Sequence, residues 1–195
     1  MFGLILSGGQ SSRMGTDKGL LPSGNGTWIE HSYALLSSLN IPVKISVNEQ
    51  QLAAYQKVVP GADFIIDEKE LNIGGPLKGL MSAHHQFPGE DIFVLACDMQ
   101  RMQPNVLRTL VSASLEKNHA AYIYQNGAQA EPLCGIYTAK AMQQIDSWYN
   151  ANDLPKHGLI SILLRLKIPF LSVPENWQPF FENFNSPDDI QKMPL

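Results

Sequence analysis

Short apolar runs punctuate the first half of the chain. Phe2–Leu6, Val43–Val47, Phe64–Ile66 and Ile92–Ala96 lack the apolar-polar alternation of a half-exposed strand, so they predict strands covered on both faces. Stretches of helical character lie between them. Thr27-Trp28-Ile29-Glu30 is a capping-box pattern that opens a helix running to about Leu39. A second helix follows Asn48, a third spans Leu77 to Gln86, and a fourth runs from Pro104 to Glu116 with proline in its first turn. Such alternation implies parallel strands joined by right-handed helical crossovers. After Ala120 the texture changes. Ala120–Tyr124 and Pro132–Tyr137 flank Asn126-Gly127, a turn-like pair that predicts an antiparallel excursion. Helices over Ala139–Tyr149 and Leu159–Leu166, a strand near Phe170–Val173, and a short last helix capped at Ser186-Pro187-Asp188-Asp189 complete the pattern. The expected architecture is one three-layer α/β domain over residues 1–195, with a mostly parallel central sheet and helices on both faces.

Composition narrows the function classes. The chain of 195 residues is 44% hydrophobic and 16% charged, enough to bury a core and too apolar for disorder. Its net charge of −4, from 14 Lys+Arg against 18 Asp+Glu, argues against a nucleic-acid or acidic-membrane surface but leaves room for a local anion site. The two cysteines, Cys97 and Cys134, are far apart, in no C-x-x-C pair, and read as buried small apolar residues. Met1–Leu6 has no basic flank and stops at Ser7-Gly8-Gly9, so it reads as a strand of a cytoplasmic protein rather than a leader or a membrane span.

The loop Leu6-Ser7-Gly8-Gly9-Gln10-Ser11-Ser12-Arg13-Met14-Gly15-Thr16-Asp17-Lys18 follows the first predicted strand. Glycines allow backbone N–H groups to approach phosphate, hydroxyls add donors, and Arg13 and Lys18 add the charge a triphosphate needs. It is neither a Walker A loop nor a G-x-G-x-x-G fingerprint. On these residues alone, an ordinary Gly/Ser strand-to-helix turn and a triphosphate cradle are both open.

The same loop resembles L-A-G-G-x-S-x-R-M-G-x-D-K, the signature of the molybdenum cofactor guanylyltransferase (MobA) family and its nucleotidyltransferase relatives, with Ser7 in place of alanine. Gly75-Pro76-Leu77-Lys78-Gly79-Leu80 is similar to the family's G-P-L-x-G-L/M. Ala96-Cys97-Asp98-Met99 is similar to C-D-M-P, with Gln100 in place of proline. Glu131–Tyr137 resembles P-L-x-G-L-Y, and Asn183–Asp189 resembles N-x-N-T-P-E-D with Ser186 for threonine. These segments follow the family's order along nearly the whole chain.

The resemblance implies a Rossmann-like nucleotidyltransferase fold. It implies transfer of GMP from GTP to molybdenum cofactor (molybdopterin), with release of pyrophosphate and Mg²⁺ as the cation. CTP-dependent molybdopterin cytidylyltransferases and sugar- or alcohol-phosphate nucleotidyltransferases share the first loop, so base and acceptor stay open. A non-catalytic nucleotide-binding module is the alternative from another class. The family also implies a cofactor-delivery or acceptor protein, and no oligomeric state follows.

Asp98, expected at the carboxyl end of a central strand, is the candidate metal ligand and, with Arg13 and Lys18, a candidate catalytic residue. Leu6, Ser7, Gly8, Gly9, Lys18, Asn48, Asp67 and Asp98 form the candidate nucleotide site. Asn48 and Asp67 end predicted strands and read equally as turn formers. Gly75, Pro76, Leu77 and Gly79 are expected to wall the nucleoside, or simply to enter a helix. Asn185 is either a second metal contact or a turn residue. His84-His85 faces two directions about 100° apart on a helix, a poor arrangement for a shared metal. Trp148, Trp177 and the C-terminal phenylalanines read as core, with Trp177 to Phe181 a possible border of the acceptor site.

Overall fold

A computed structural model describes residues 1–7, 17–154 and 158–184. Gly8, Gly9 and Arg13 of the candidate loop, Asn185, and the expected last helix from Ser186 lie outside the described residues.

The strands are β1 (Phe2–Leu6), β2 (Pro22–Ser23), β3 (Gly26–Thr27), β4 (Val43–Val47), β5 (Asp63–Ile66), β6 (Ile92–Ala96), β7 (Ala121–Asn126), β8 (Gln129–Tyr137) and β9 (Phe170–Ser172). The helices are α1 (Trp28–Ser37), α2 (Glu49–Val58), α3 (Pro76–Gln86), α4 (Pro104–Ser114), α5 (Ala139–Asn150) and α6 (Gly158–Leu166). Among the described residues, seven strands form one sheet in the order β5-β4-β1-β6-β8-β7-β9, and β2 and β3 form a separate hairpin. β5, β4, β1 and β6 pair in parallel. β8 runs against both β6 and β7, while β7 and β9 pair in parallel. The mostly parallel sheet and the antiparallel excursion after Ala120 are both as expected.

Burial explains why the parallel strands read as continuous apolar runs. In β1, Ile5 packs toward α1, α2 and α4 with Ile29, Leu36, Tyr55 and Leu107. Its neighbours Leu4 and Leu6 pack on the opposite face, toward α3, α5 and α6, with Leu77, Leu80, Met142 and Ile162. Alternate residues thus enter different cores, and neither set can be polar.

Helix entries follow local chemistry. At α1, Thr27 N donates to Glu30 Oε2 at 2.8 Å and Glu30 N donates back to Thr27 Oγ1 at 3.5 Å, the predicted capping box. α3 and α4 each start on a proline, whose missing N–H costs nothing there.

Two features went unpredicted. The β2–β3 hairpin is only two residues a side, too short for a periodic signal. Glu175–Phe181 forms a 3₁₀ turn that buries Phe181 against Tyr124, ring centroids 5.2 Å apart. Phe181 is therefore core, as expected for the C-terminal phenylalanines.

The chain order creates a switch point. From β1 it moves outward to β4 and β5, then returns to add β6 on the other side of β1. Crossovers leave β1 and β6 in opposite directions, which opens a crevice at their carboxyl ends.

Candidate active site

Four predicted residues gather at that edge. Ser7, Asn48, Asp67 and Asp98 follow β1, β4, β5 and β6, and Cys97 N donates to Leu6 O at 3.2 Å, stitching the two central ends together. Lys18 and Asp98, 80 residues apart in sequence, meet here, with Lys18 Nζ 3.1 Å from Asp98 Oδ2. Both side chains are about four-fifths covered, at 20% and 18% exposure. The second carboxylate oxygen, Asp98 Oδ1, is buried and has no hydrogen-bond partner among the described residues. A buried carboxylate oxygen without a donor is costly unless a ligand or cation completes it.

Lys18 owes its position to three residues that the sequence reading did not single out. Asp17 caps the short 3₁₀ turn Lys18–Leu20, accepting from Gly19 N at 3.1 Å. The same oxygen accepts from Tyr55 Oη at 2.6 Å, and the other accepts from Gln51 Nε2 at 2.7 Å. Tyr55 is fully buried, and its hydroxyl fills the space a side chain at Gly19 would need, since a Cβ there would lie 2.1 Å from it. The end of the loop is thus bolted to α2.

Asn48 and Asp67 have structural partners of their own. Asn48 caps α2, its Oδ1 accepting from Gln51 N at 3.0 Å while Gln51 Oε1 accepts from Asn48 N at 3.0 Å. This capping occupies the Asn48 carbonyl oxygen and leaves its amide nitrogen for other use. Asp67 Oδ1 accepts from Ser46 Oγ at 2.7 Å. Burial raises the Asp67 pKa, against the opposing pull of the Ser46 bond and the Lys78 charge. Ser7 spends its hydroxyl on Ser46 O at 2.6 Å, tying β1 to β4. Gly79 lets α3 press on this group: a Cβ there would fall 2.4 Å from Ser46 Oγ.

Gln100 replaces the family's proline without loosening the Asp98 turn. Its amide nitrogen donates to Cys97 O at 2.6 Å and to Trp28 O at 3.3 Å. Phe184 N donates to Asp98 O at 3.2 Å, and the Phe184 ring meets Trp28 edge-on with centroids 6.3 Å apart. Glu131 stands in β8. It is 6% exposed, and burial raises its carboxyl pKa to about 7.

The two histidines part company, as the helix geometry predicted. His84 is buried in α3. His85 bridges two carboxylates, Nδ1 lying 2.8 Å from Glu68 Oε2 and Nε2 3.0 Å from Asp146 Oδ1. Partial burial opposes its protonation, but the bonds and charges of Asp146 and Glu68 outweigh burial and raise its pKa above 6.5. Only the imidazolium donates from both nitrogens. The raised value makes this brace fully effective below pH 6.5, while the carboxylates stay ionised, and weakens it as pH climbs through the folded-state pKa. His85→Gln is therefore expected to cost about 1 kcal/mol at pH 6 and to be close to neutral at pH 9. Urea unfolding of both proteins at the two pH values measures this; a gap that does not change with pH would rule the brace out.

Residues 3–166 match the MobA-like NTP transferase domain. The chain belongs to this family. The MobA-like chain is 30% identical over 189 residues to the molybdenum cofactor guanylyltransferase of Pseudomonas putida, covering 96% of this chain and 94% of that protein. It is 26% identical over 191 residues to the probable molybdenum cofactor guanylyltransferase of Flavobacterium johnsoniae, covering 97% and 94%. Its fold matches the crystal structure of molybdopterin-guanine dinucleotide biosynthesis protein A from Archaeoglobus fulgidus, with TM-score 0.80 at 23% identity over 98% of this chain and 96% of that one. As a MobA-like domain the protein is a nucleotidyltransferase, and the α/β architecture is the nucleotidyltransferase fold. Among the described residues no helix is long and apolar enough to cross a membrane.

Proposed function

We propose that this chain transfers GMP from GTP to a phosphate oxygen of molybdenum cofactor (molybdopterin), releasing pyrophosphate and forming the guanine dinucleotide. The observation that carries this reading is the meeting of Lys18 with Asp98, whose second oxygen is left unpartnered, at the switch point of the sheet. Full-length similarity to proteins named molybdenum cofactor guanylyltransferases supplies the substrates.

The reaction forms a bond from the acceptor's phosphate oxygen to the α-phosphorus and breaks the bond to the pyrophosphate oxygen. Phosphoryl chemistry of this kind needs alignment and neutralised charge more than a protein nucleophile. Lys18 neutralises triphosphate oxygens from a position fixed by Asp17. Arg13 serves the leaving pyrophosphate. In this reading Asp67, the amide nitrogen of Asn48, and Leu6, Ser7, Gly8 and Gly9 bind the nucleotide. Among the described residues no three His, Cys, Asp or Glu side chains gather as a metal cage. One free carboxylate oxygen suits Mg²⁺, which takes one or two carboxylates and completes its shell with phosphates and water. Asp98 would hold that ion, whose chemistry is to neutralise charge on the phosphate oxygens.

The test is a panel of GTP, CTP, ATP and UTP, each with Mg²⁺ and molybdopterin cofactor, read by pyrophosphate release. Release with GTP in clear excess over the others is expected. Preference for CTP would turn the assignment to a cytidylyltransferase, and no release with any nucleotide would sink it.

A further inference from the structure

Glu131 is the least explained polar group in the sheet. It is 6% exposed, yet burial alone accounts for its weakened acidity, with no hydrogen bond or charge opposing that effect. Its carboxylate has no hydrogen-bond partner among the described residues, and its oxygens, unlike Asp98 Oδ1, are not sealed from solvent, so a ligand arriving from solvent can reach and complete a group that is otherwise costly to cover.

The backbone sets this residue out deliberately. β7 and β8 pair at Ile123↔Gly135 and again at Gln125↔Ala130, so two steps along β7 match five along β8. The surplus is a wide bulge over residues 131–134. Pro132, which cannot donate to a ladder, sits inside it, and Tyr137 Oη pins it by donating to Pro132 O at 2.9 Å. Bulges of this kind re-aim side chains beside active sites. β8 enters the sheet from the carboxyl edge, because Cys134 pairs with Leu95 of β6 and Asp98 lies just beyond the end of β6. Glu131 therefore stands at the same edge as Asp98. It lies on the β8 side, whereas Ser7, Asn48 and Asp67 lie on the side of β1, β4 and β5.

A carboxylate is an acceptor with two parallel oxygens. Its complement is an adjacent pair of N–H donors, and the 2-amino-4-oxopyrimidine edge offers a ring N–H beside an amino group. Both guanine and pterin carry that edge. We infer that Glu131 grips the 2-amino-4-oxo edge of the acceptor's pterin ring, in a half-site on the β8 side of Asp98 opposite the nucleotide. The pterin assignment rests on the guanylyl-transfer reading; the recognition of the N–H pair rests on Glu131 itself.

Binding of free heterocycles tests this without turnover. Pterin and lumazine differ in that lumazine carries a carbonyl where pterin has the amino group, so it turns an acceptor toward the carboxylate. Wild type is expected to bind pterin at least about tenfold more tightly than lumazine, by fluorescence titration. Glu131→Gln should reduce that preference to within about twofold while leaving the preference for GTP over xanthosine triphosphate unchanged by calorimetry. If the variant instead loses GTP-over-xanthosine discrimination and keeps the pterin preference, Glu131 reads the nucleotide base and the acceptor assignment is overturned. Unchanged preferences in both pairs, or a wild type indifferent to lumazine, overturn the inference altogether. Should Glu131→Gln fail to fold, Glu131→Asp decides: it keeps a carboxylate and should keep a pterin preference, and its loss counts against the role. Absent pyrophosphate release in the nucleotide panel would sink guanylyl transfer yet leave this binding comparison intact, so the two failures are distinguishable.

Discussion

Asp98→Asn is expected to lower pyrophosphate release from GTP by about a thousandfold or more while the protein stays folded. The substitution keeps the shape of the side chain and replaces a charged oxygen by an amide. In the native protein Oδ2 faces Lys18 at 3.1 Å and Oδ1 faces no donor among the described residues. The ion pair is lost and Lys18 now meets a neutral group, which costs about 1–2 kcal/mol, less than in a sealed core because both side chains keep about a fifth of their surface exposed. Against that, the uncompensated burial of a charged Oδ1 is relieved. The net change in melting temperature is therefore a few degrees at most for a chain of this size. Function suffers far more than stability because the same unpartnered oxygen that burdens the fold is the one available to a cation, and an amide is a poor substitute for it. Calorimetric melting alongside the pyrophosphate assay separates the two effects. A variant retaining more than a tenth of wild-type turnover would remove Asp98 from the chemistry.

The sequence carried the scaffold well wherever structure follows from local pattern. β1, β4 and β6 occupy the expected spans because residues facing two cores must all be apolar. The Thr27–Glu30 capping box formed as written. The helix ends shifted by a residue or two, α1 ending at Ser37 and α4 at Ser114, where no strong stop signal sits. A second capping box, Asn48 with Gln51, was equally legible, since an asparagine three residues before a glutamine is a helix-start signature. The family resemblance drew attention to Asn48 as a nucleotide contact and away from that simpler role. Pro132 is the sequence mark of the bulge in β8, which the expected strand Pro132–Tyr137 did not anticipate. The meeting of Lys18 with Asp98 and of Asp17 with Tyr55 was beyond local pattern. Each joins residues brought together only when α2 packs on the sheet and β6 crosses to the far side of β1.

The consequence of that long-range assembly is a second large effect, at a residue that need not touch substrate. Asp17→Ala should lower turnover about a hundredfold and stability by about 3 kcal/mol. The carboxylate accepts from Gly19 N, Tyr55 Oη and Gln51 Nε2. Truncation takes the carboxylate acceptor from the hydroxyl of a fully buried tyrosine and leaves the Gln51 amide only its longer bond to Ser7 O at 3.4 Å, and each weakened group carries a desolvation cost. Loss of the cap also frees the turn that begins at Lys18, and a displacement of about 1 Å is enough to cost a hundredfold in a reaction governed by alignment. Tyr55→Phe separates the two contributions. It deletes one donor, leaves Asp17 capping Gly19 and held by Gln51, and should lose about 1 kcal/mol with less than a tenfold change in kcat. Urea unfolding and steady-state kinetics on both variants give the comparison. If Asp17→Ala melts early but turns over at the wild-type rate below its melting temperature, the network only holds the fold together, and Lys18 finds its place without it.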